Sequence, residues 1–575
     1  MRVSDYVIQF LRDKYGVETV FTVSGGGCIF LIDSLGHTEG VSYVATHHEQ
    51  AAAIAAEGYS RMNNKLGACV VTSGPGATNA ITGTLCSWLD SVPVIVISGQ
   101  VNKEMTTNYT KQPLRQLGDQ EFNVVESVKS ITKYAVQVNE ASEIRYHLEK
   151  ACELATSGRP GPVWIDIPLN VQSANIDPQE LDSYLEFNPI PNVKHQDLST
   201  LMSKWREAKK PLMIVGNGVR LSKGVEELYK VLNATNIPTI TAVNGNDIVN
   251  SDYPQYYGRF GTHAQICANK LLSECDFLLT VGSRLYVRQT GYNFSGFAKQ
   301  AYKIHVDVDE AELNKPTLFT DLRVHADAKA FLSEIATLQL PVSSKEWIAE
   351  CDELNKAPKV LQRHRDKTEY ASHYAFIEQL SKVMPQDHHI VTSDGSANVV
   401  TMQVMDLKGN QRLITNTGCA PMGYGLPAAL GASTHHKIIC IEGDGSLHLN
   451  IQELQTMKHY NLPIKLILLN NDGYLSIKVS QKTFFEGRYV ASEKNSGVSF
   501  PNFEKVIKAY DLPYFNIKNN QEIHPTLEEF LATDGPAILE VFTDPDEFHE
   551  PKVVAKLDDN GNFIPGELSN IQWID

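Results

Sequence analysis

Several features that would define the class of a protein at once are scarce or missing in this sequence. Its nine cysteines include no CxxC pair, which argues against a common zinc-site spacing and is typical of free thiols in a reducing compartment. No apolar run approaches the roughly 18 residues that a membrane-spanning helix needs. The start, MRVSDYVIQFLRDKYG, is an amphipathic helix pattern without the apolar core of a secretion signal. We therefore expect a cytoplasmic protein.

Positive charge is also in short supply. The chain has 51 lysines and arginines against 67 acidic residues, a formal net charge of -16. That balance disfavours nucleic acid or an anionic membrane as the main partner. Short repeats and low-complexity tracts are missing as well. A chain of 575 residues with 42% hydrophobic residues can bury large cores without disulfide or metal support. The composition therefore predicts an ordinary globular protein of several domains.

Short apolar runs recur along the chain, and each is followed by a longer amphipathic stretch. This alternation predicts an α/β fold of doubly wound parallel sheets that are buried on both faces. The strands predicted in this way are 67–73, 92–98, 162–168, 211–215, 277–282, 303–308, 388–393, 437–442, 463–470 and 537–542.

Two polar, proline-containing stretches, 172–197 and 340–370, are predicted to be linkers. They divide the chain into three domains and a polar tail that we expect to lie over the surface or the site. The predicted domain ranges are 1–175, 190–340 and 365–545, followed by the tail 546–575.

The strongest chemical signal lies in the third domain. The apolar run KIICIE ends in Gly443-Asp444-Gly445-Ser446, and the next run, PIKLILLNN, ends in Asn470-Asn471. The intervening residues have the length of one β-α-β crossover, so both motifs should lie at the carboxyl ends of neighbouring parallel strands, where such sheets bind ligands. Glycine-aspartate alone is more often a helix-capping turn. The pair at this spacing resembles the signature of thiamine diphosphate sites.

The residue types of this pair suit a magnesium ion. Asp444 and Asn471 offer hard oxygen ligands, and a backbone carbonyl near Gly473 can add a third. Gly445 and the amide of Ser446 open a helix, whose N-terminus can receive a phosphate group. We therefore predict a magnesium and diphosphate site at this edge of the third sheet.

A glutamate in the first domain is the second signal. In HHEQAAAIAAEG, Glu49 shares a helical face with Ala52, Ala53 and Ala56. A carboxylate on a small-residue packing face is unusual, because carboxylates are seldom buried unpaired. A buried glutamate with a raised pKa would suit proton exchange with the thiamine pyrimidine ring. The alternative is a first-turn glutamate that faces the helix dipole.

Two loops add weaker signals. The turn from Thr72 to Asn79 (TSGPGATN) follows a buried strand and would let a ligand approach the backbone, although a plain turn is as typical of it. The loop NTGCAPMGYG contains Met422, which is either core filler or a support for the bent cofactor. In the second case the Ala420 carbonyl would hold the cofactor's amino group.

Taken together, HHEQAAAIAAEGYSR, VVTSGPGATNAITG, DSVPVIVISGQV, GRPGPVWIDIP, MGYGLPAALGA and GDGSLHLNIQELQT resemble the acetohydroxyacid synthase (acetolactate synthase) family over residues 1–545. The resemblance implies a pyrimidine-binding, a central and a diphosphate-binding domain. It also implies thiamine diphosphate and Mg²⁺ as cofactors, and a homodimer or dimer of dimers with Glu49 and the GDG motif on different subunits. The residues that it implies for thiamine diphosphate are Gly26, Thr72, Pro75, Asn79, Gly395, Ser396, Ala420, Met422, Gly443, Gly445, Ser446, Tyr474 and Leu475.

Relatives in this family often hold FAD in the central domain. Gly216 and Gly218 after one strand, Arg284 after another and Asp307 in a third resemble flavin-contacting positions. Glycine after a strand is also common in Rossmann-like domains without flavin. A bound FAD would serve either a structural or a redox role.

The implied reaction starts with decarboxylation of pyruvate or another small 2-keto acid after Glu49 activates the cofactor. The two-carbon unit then passes to an acceptor ketone. His48 and Gln120 are predicted to contact intermediates or the acceptor, although a structural role is as typical of His48. Gly27 and Arg288 are predicted to line the substrate pocket.

The sequence departs from the family pattern in this pocket. Asp119, Leu169, Ile477 and Gln481 stand where the family has a phenylalanine, a lysine, a methionine and a tryptophan. These changes are similar to those of branched-sugar carboligases of the yersiniose-forming type, which predicts a nucleotide-linked keto-deoxysugar as the acceptor. The alternatives are an acetolactate synthase, an FAD-dependent pyruvate oxidase, a simple 2-keto acid decarboxylase and a non-catalytic thiamine diphosphate-binding scaffold.

Overall fold

Three six-stranded parallel sheets form the body of the protein in a computed structural model. The structure describes residues 1–186, 190, 192–554, 556–557 and 563–574. Each sheet falls within one of the predicted domain ranges, and helices cover both of its faces. The α/β class predicted from the apolar runs is therefore confirmed.

The first sheet has the strand order β2-β1-β3-β4-β6-β5. Its strands are β1 (Thr19–Thr22), β2 (Ser42–Ala45), β3 (Gly67–Val71), β4 (Val94–Gln100), β5 (Tyr134–Gln137) and β6 (Val163–Pro168). Every residue of β3, β4 and β6 is buried, because helices pack on both sides of the sheet. Its principal helices are Val3–Tyr15, Ile29–His37, Glu49–Asn63, Pro75–Asn79, Ile81–Leu89, Val124–Val128 and Ile144–Thr156.

The central sheet has a different order, β12-β11-β10-β7-β8-β9. Its strands are β7 (Pro211–Val215), β8 (Thr239–Thr241), β9 (Tyr256–Arg259), β10 (Phe277–Val281), β11 (Tyr302–Asp307) and β12 (Leu322–His325). This is the order of dinucleotide-binding sheets, whose switch point lies between the first and fourth strands, here β7 and β10. Its principal helices are His195–Glu207, Gly218–Leu221, Val225–Thr235, Ile266–Glu274, Val287–Thr290, Glu310–Asn314 and Ala328–Ala336.

The third sheet, with the order β14-β13-β15-β16-β18-β17, repeats the topology of the first. Its strands are β13 (His388–Thr392), β14 (Leu413–Ile414), β15 (Lys437–Gly443), β16 (Ile464–Asn470), β17 (Tyr514–Ile517) and β18 (Ala537–Phe542). Its helices are His373–Val383, Gly395–Val404, Gly425–Ala432, Asp444–Leu449, Glu453–His459, Leu475–Phe484, Phe503–Ala509 and Ile523–Ala532.

The first and third domains share a hydrophobic core. It forms where helix Glu49–Asn63 packs on helix Gly425–Ala432. A Cβ atom at Gly58 would lie 2.1 Å from the carbonyl oxygen of Ala428, and one at Gly431 would lie 1.8 Å from that of Ala55. Only small residues allow this approach, so the side of the helix that carries Ala55 and Gly58 is a contact between domains. Ala53 and Ala56, on the face noted in the sequence, approach Gly83 and Gly67 of the first domain.

The second predicted linker is not irregular. Segment 340–370 contains the helices Lys345–Leu354 and Gln362–Arg365. Trp347 is buried, and its indole N–H donates to the carbonyl of Pro211 at 2.9 Å. This helix therefore belongs to the packing of the central sheet, and its polar outer face made it look like a linker. The first predicted linker, 172–197, includes residues 187–189 and 191, which lie outside the described residues.

The tail packs against the central domain. Its short antiparallel pair, Lys552–Val553 with Ile571–Gln572, lies beside the central domain, where Asn269 donates to the carbonyl of Leu568 at 3.2 Å.

All nine cysteines are free, and eight of them are buried. Among the residues that the structure describes, no helix combines the length and hydropathy needed to cross a membrane.

Candidate active site

The carboxyl ends of β15 and β16 bring Asp444 beside Asn471. Asp444 begins helix Asp444–Leu449, and its carboxylate accepts the N–H groups of Gly445 at 2.7 Å, Asn471 at 3.0 Å and Gly473 at 3.3 Å. Burial outweighs these hydrogen bonds and raises the Asp444 pKa to about 7. Backbone N–H groups of the loop after β16 thus hold the predicted metal residues together.

This cluster fits a divalent cation. The Oδ1 atom of Asn471 is buried and has no hydrogen-bond partner in the described part of the chain, which is costly unless a ligand meets it. The Asp444 carboxylate has amide donors, but among the described residues no lysine or arginine lies within 4 Å of it. Described residues contain no group of three or more His, Cys, Asp and Glu suited to a metal. One carboxylate, one amide oxygen and one carbonyl supply three oxygen ligands and a single negative charge. Phosphate oxygens would complete the octahedral coordination that Mg²⁺ prefers.

Two helix N-termini face this edge of the third sheet. Helix Gly395–Val404 follows β13, and helix Asp444–Leu449 follows β15, on either side of the switch point of the sheet. Gly395 adopts a φ of 57°. A Cβ at Gly443 would meet no atom within 4 Å. The open space at these N–H groups suits a diphosphate.

The remaining predicted residues of this half support the loop. The ring of Tyr474 packs so closely on Gly445 that a Cβ there would lie 2.3 Å from it. Ser446 accepts the N–H of Gly423 at 2.8 Å. Leu475 is buried at the start of helix Leu475–Phe484. These contacts fix the loop geometry around the predicted diphosphate site.

Loop 416–423 presents Ala420 and Met422 at the surface of the third domain. The side chain of Asn416 accepts the N–H groups of Cys419 and Ala420 at 3.1 and 3.2 Å. Ala420 is held at a φ of 51°. Met422 is only half-buried, so it is not ordinary core filler. This arrangement agrees with a thioether that contacts a ligand.

Two residues of this region were missed by sequence reasoning. Glu442 is fully buried, its pKa is raised to about 8 by burial, and it accepts the hydroxyl of Ser446 at 3.2 Å. A carboxylate inside the apolar run KIICIE was the available signal. His549, in the tail, lies 2.8 Å from the hydroxyl of the predicted cofactor residue Ser396. No sequence pattern connects those two positions.

In the first domain, several of the predicted pyrimidine-binding residues lie at the switch point of the sheet, between β1 and β3. The hydroxyl of Thr72, after β3, accepts the N–H of Gly27 at 3.0 Å. Pro75 opens helix Pro75–Asn79, and Asn79 donates to Glu49 Oε2 at 2.9 Å. Gly26 is exposed, and a Cβ there would meet no atom within 4 Å. The structure therefore brings Asn79 into contact with Glu49 and places Thr72 beside Gly27.

Glu49 is half-exposed in this chain, although we expected a buried carboxylate. The alanines that share its helical face are buried, but Glu49 is the first residue of its helix and lies at the open edge of the sheet. His48 is the N-cap, and its Nδ1 atom accepts the N–H of Gln50 at 3.0 Å. The structure thus gives His48 a capping role.

The predicted acceptor residues of the first domain divide into two groups. Asp119 and Gln120 are exposed, and the Gln120 carbonyl would lie 2.4 Å from a Cβ at Gly74. Leu169 is half-buried at the start of helix Leu169–Gln172. Gly27 is buried, and its carbonyl accepts the side chain of Gln172 at 2.7 Å. Gly27 therefore packs inside the domain, whereas the other three face outwards.

The side chain of Gln481 is hydrogen-bonded within its own domain. Its amide donates to the carbonyl of Val490 at 2.8 Å and accepts the hydroxyl of Ser492 at 2.7 Å. The Ser492 carbonyl in turn accepts the N–H of Tyr474 at 2.9 Å. Gln481 thus anchors loop 488–493 beside the metal loop. Ile477, on the same helix, is 48% exposed.

The switch point of the central sheet opens into a cavity of about 260 Å³, lined by Gly218, Arg284 and Asp307. Burial raises the pKa of Asp307 to about 6. Gly216 is not part of the lining, because it packs against Gly282, whose carbonyl would lie 2.2 Å from a Cβ at Gly216. Asn217 occupies the wall instead. Arg288 is exposed at the neighbouring helix Val287–Thr290.

Three family models match the chain in order. The model described as "Thiamine pyrophosphate enzyme, N-terminal TPP binding domain" matches residues 1–121, the model for the central domain matches 198–335, and the model for the C-terminal TPP binding domain matches 394–541. Thiamine pyrophosphate is a synonym of thiamine diphosphate. The fold and these three matches thus define a thiamine pyrophosphate enzyme.

Relatives match almost the whole chain. The acetolactate synthase isozyme 2 large subunit of Escherichia coli K12 is 34% identical over 95% of this chain and 96% of its own. The acetolactate synthase large subunit of Lactococcus lactis is 32% identical over 96% and 94%. The chloroplastic acetolactate synthase 1 of Zea mays is 30% identical over 97% and 88%. The chain therefore belongs to the thiamine pyrophosphate enzyme family and is similar to its acetolactate synthases.

The family expected from the sequence motifs is confirmed by these matches. They give no support to the branched-sugar carboligase branch.

Proposed function

We propose that the protein decarboxylates a 2-keto acid such as pyruvate and joins the two-carbon unit to a second keto acid, the reaction of an acetolactate synthase. The observation that carries this proposal is the buried pair of Asp444 and the unpartnered Asn471 oxygen. This pair lies at a parallel-sheet edge of a chain that is 34% identical to an acetolactate synthase subunit over 95% of its length. A buried amide oxygen without a hydrogen-bond partner is costly in a packed core, but together with a carboxylate it can bind a cation.

The chain's residues would hold the cofactor by its charged end. Asp444, Asn471 and the Gly473 carbonyl would bind Mg²⁺, and the N-termini of helices Gly395–Val404 and Asp444–Leu449 would receive the diphosphate. When bound, thiamine diphosphate supplies the electron sink that makes loss of CO₂ from a 2-keto acid feasible. Met422 and Ala420 would contact its organic part.

Glu49 would exchange a proton with the pyrimidine ring nitrogen. Asn79 orients the Glu49 carboxylate by donating to Oε2. Water must be excluded for such a carboxylate to act well, yet Glu49 is half-exposed in one chain. A second copy that covers Glu49 with its third domain would complete the site. Large apolar side chains are exposed near both half-sites, as interfaces require; they include Met105, Tyr109, Leu117, Ile477, Phe484 and Phe485.

The central cavity would hold FAD. Asp307 ends β11 and offers a partly buried carboxylate to ribose hydroxyls, and the cavity lies at the switch point where such sheets bind dinucleotides. The flavin absorption band of the purified protein tests this directly. We expect FAD binding to weaken at least tenfold in Asp307→Ala. Loss of FAD without loss of carboligation would assign it a structural role.

A nucleotide-linked keto-sugar is the second candidate acceptor. Asp119, Gln120 and Ile477 are exposed, and Gln481 turns away to anchor loop 488–493. The acceptor side then carries no large aromatic side chain at the Gln481 position, which favours a bulkier, hydroxylated acceptor over pyruvate.

Carbon-labelled pyruvate distinguishes the candidates. The protein is incubated with thiamine diphosphate and Mg²⁺, with and without a panel of 2-keto acids and keto-sugar nucleotides, and all labelled products are identified by mass spectrometry. Acetolactate as the main product supports the first proposal. A labelled two-carbon unit on a sugar ketone, with little acetolactate, supports the second. Labelled acetaldehyde or acetate alone would contradict both.

A further inference from the structure

A second cavity, of about 390 Å³, lies where the three domains meet. It shares a wall with the central cavity but opens towards helix Glu49–Asn63 and the start of β14. Its volume is within the range of small-molecule sites. The basic residues of its lining are Lys14, Arg61, Lys65, Arg220, Lys223 and Arg412, and Asp247 is the acidic one.

The nearby carboxylates do not balance these cations. Arg61 contacts Glu57 and Asp90, and Lys65 contacts Glu18. Within the described residues, Lys14 and Lys223 have no carboxylate within 4 Å. They lie exposed at the rim. In a chain with a net charge of -16, such a concentration of positive charge indicates an anionic ligand.

Two guanidinium groups share one carboxylate on the cavity floor. Arg220 donates to Asp247 Oδ1 at 3.0 Å, and Arg412 donates to Oδ2 of the same residue. Burial opposes the ionisation of Asp247, but the two arginines outweigh it and lower its pKa to about 2. These three groups together carry one net positive charge, on arginine side chains that are partly buried.

Two buried polar atoms that belong to lining residues have no hydrogen-bond partner in the described part of the chain. The side chain of Asn246 is buried, and its Nδ2 atom donates to the carbonyls of Val243 and Leu413 at 2.6 and 3.3 Å. These bonds fix the orientation of the amide, and its Oδ1 atom has no hydrogen-bond partner among the described residues. The same is true of Arg220 Nε. A ligand that offers both a donor and an acceptor would satisfy them.

Part of the lining is apolar and can cover a flat ring. Leu66, Val92, Leu413 and Ile414 are buried in the wall, and the half-buried ring of Tyr15 lies at the mouth. We propose that this cavity binds a nucleoside diphosphate, with the phosphates on Arg220, Arg412 and the rim lysines and the base near Asn246.

The site is centred away from both cofactor sites, although Asn217, Lys223 and Asn244 line both this cavity and the central one. Arg61 follows Glu49 by twelve residues of one helix, which places it about 18 Å away. Gly282 and Asp307 of the central cavity are not part of this lining. The proposal therefore stands independently of the reaction that the active site performs.

Equilibrium binding of ADP to protein saturated with thiamine diphosphate, Mg²⁺ and FAD tests the proposal. We expect ADP to bind, pyrophosphate to bind at least tenfold more weakly, and affinity to fall as salt is added. Arg220→Gln and Lys14→Glu should each weaken ADP binding about tenfold or more. Lys299→Glu, an exposed charge change on the same domain and outside the cavity, should leave it unchanged.

Three outcomes would overturn the proposal. One is the absence of ADP binding to the saturated protein. Another is ADP binding that is lost in Asp307→Asn but kept in Arg220→Gln, which would assign ADP to the central cavity. The third is equal affinity for ADP and pyrophosphate, which would leave a simple anion site. Asn246→Ala, which removes only the unpartnered amide, should weaken ADP but not pyrophosphate.

Discussion

The Oδ2 atom of Asp444 accepts the backbone N–H of Asn471 at 3.0 Å, so one carboxylate ties together the ends of two neighbouring strands. The same oxygen accepts the N–H of Gly473. Asp444 therefore organises the loop that carries the other two proposed metal ligands, and it acts on them even before a cation is present.

Replacement of Asp444 by asparagine should abolish tight cofactor binding. The variant loses the charge that a cation needs and the acceptor that orders residues 471–473. We expect the apparent affinity for thiamine diphosphate with Mg²⁺ to fall about 100-fold or more, as measured by calorimetric titration. Asp472→Asn is the matched control, since Asp472 is exposed and contributes only its backbone. An equal loss in both variants would contradict the assignment.

Glu49→Gln should separate binding from turnover. The amide keeps the size of the side chain and can still meet Asn79, but it cannot exchange a proton. We expect thiamine diphosphate affinity within about threefold of the original protein and a kcat lower by about 100-fold or more. Glu126→Gln, an exposed change on the same domain, should be neutral. Full turnover with bound cofactor would exclude Glu49 from the chemistry.

Gln481→Ala should loosen the loop beside the metal site. The change removes the bonds to Val490 and Ser492, and with them the support of Tyr474. We expect faster proteolysis within residues 485–495 and cofactor affinity reduced several-fold. Ser480→Ala is the control, because Ser480 is on the same helix and its hydroxyl donates to the carbonyl of Ser476 within that helix. Unchanged proteolysis together with a changed acceptor preference would instead assign Gln481 directly to the substrate pocket.

Stability should fall in mild acid partly through His549. Burial lowers its pKa to about 3 in the folded chain, against about 6.5 when unfolded. Between these values the unfolded state binds the extra proton, so stability decreases as pH falls, by about 1.4 kcal/mol per pH unit for one such group. His549→Asn should flatten the dependence of Tm on pH between 6.5 and 4. His524→Asn, at an exposed position, should not.

The inner strands of all three sheets were largely predictable, and the edge strands were not. All ten strands predicted from apolar runs are present. The six edge strands, β2, β5, β9, β12, β14 and β17, went unnoticed because they have only two to four residues and most are partly exposed. A strand that is buried on both faces must be apolar throughout, whereas an edge strand carries no such constraint.

Within the site, motifs predicted positions better than roles. Asp444 and Asn471 came together because strand ends meet at one edge of a parallel sheet. Gly216 was expected to touch a cofactor, yet it serves the contact between two strand ends. The bond between His549 and Ser396 spans 153 positions, and no local pattern could have indicated it.

The first and third sheets share one topology, with strands in the order 2-1-3-4-6-5, and the central sheet does not. Superposing the two outer domains strand by strand would bring the turn after β3, with Thr72 and Pro75, onto the turn after β15, with Gly443 and Asp444. The molecule thus has an internal pseudo-symmetry whose equivalent turns have diverged: the turn after β15 carries the carboxylate of Asp444, and the turn after β3 carries the hydroxyl of Thr72 at its start. A cofactor with one charged and one neutral end would therefore contact two diverged copies of the same strand-end turn.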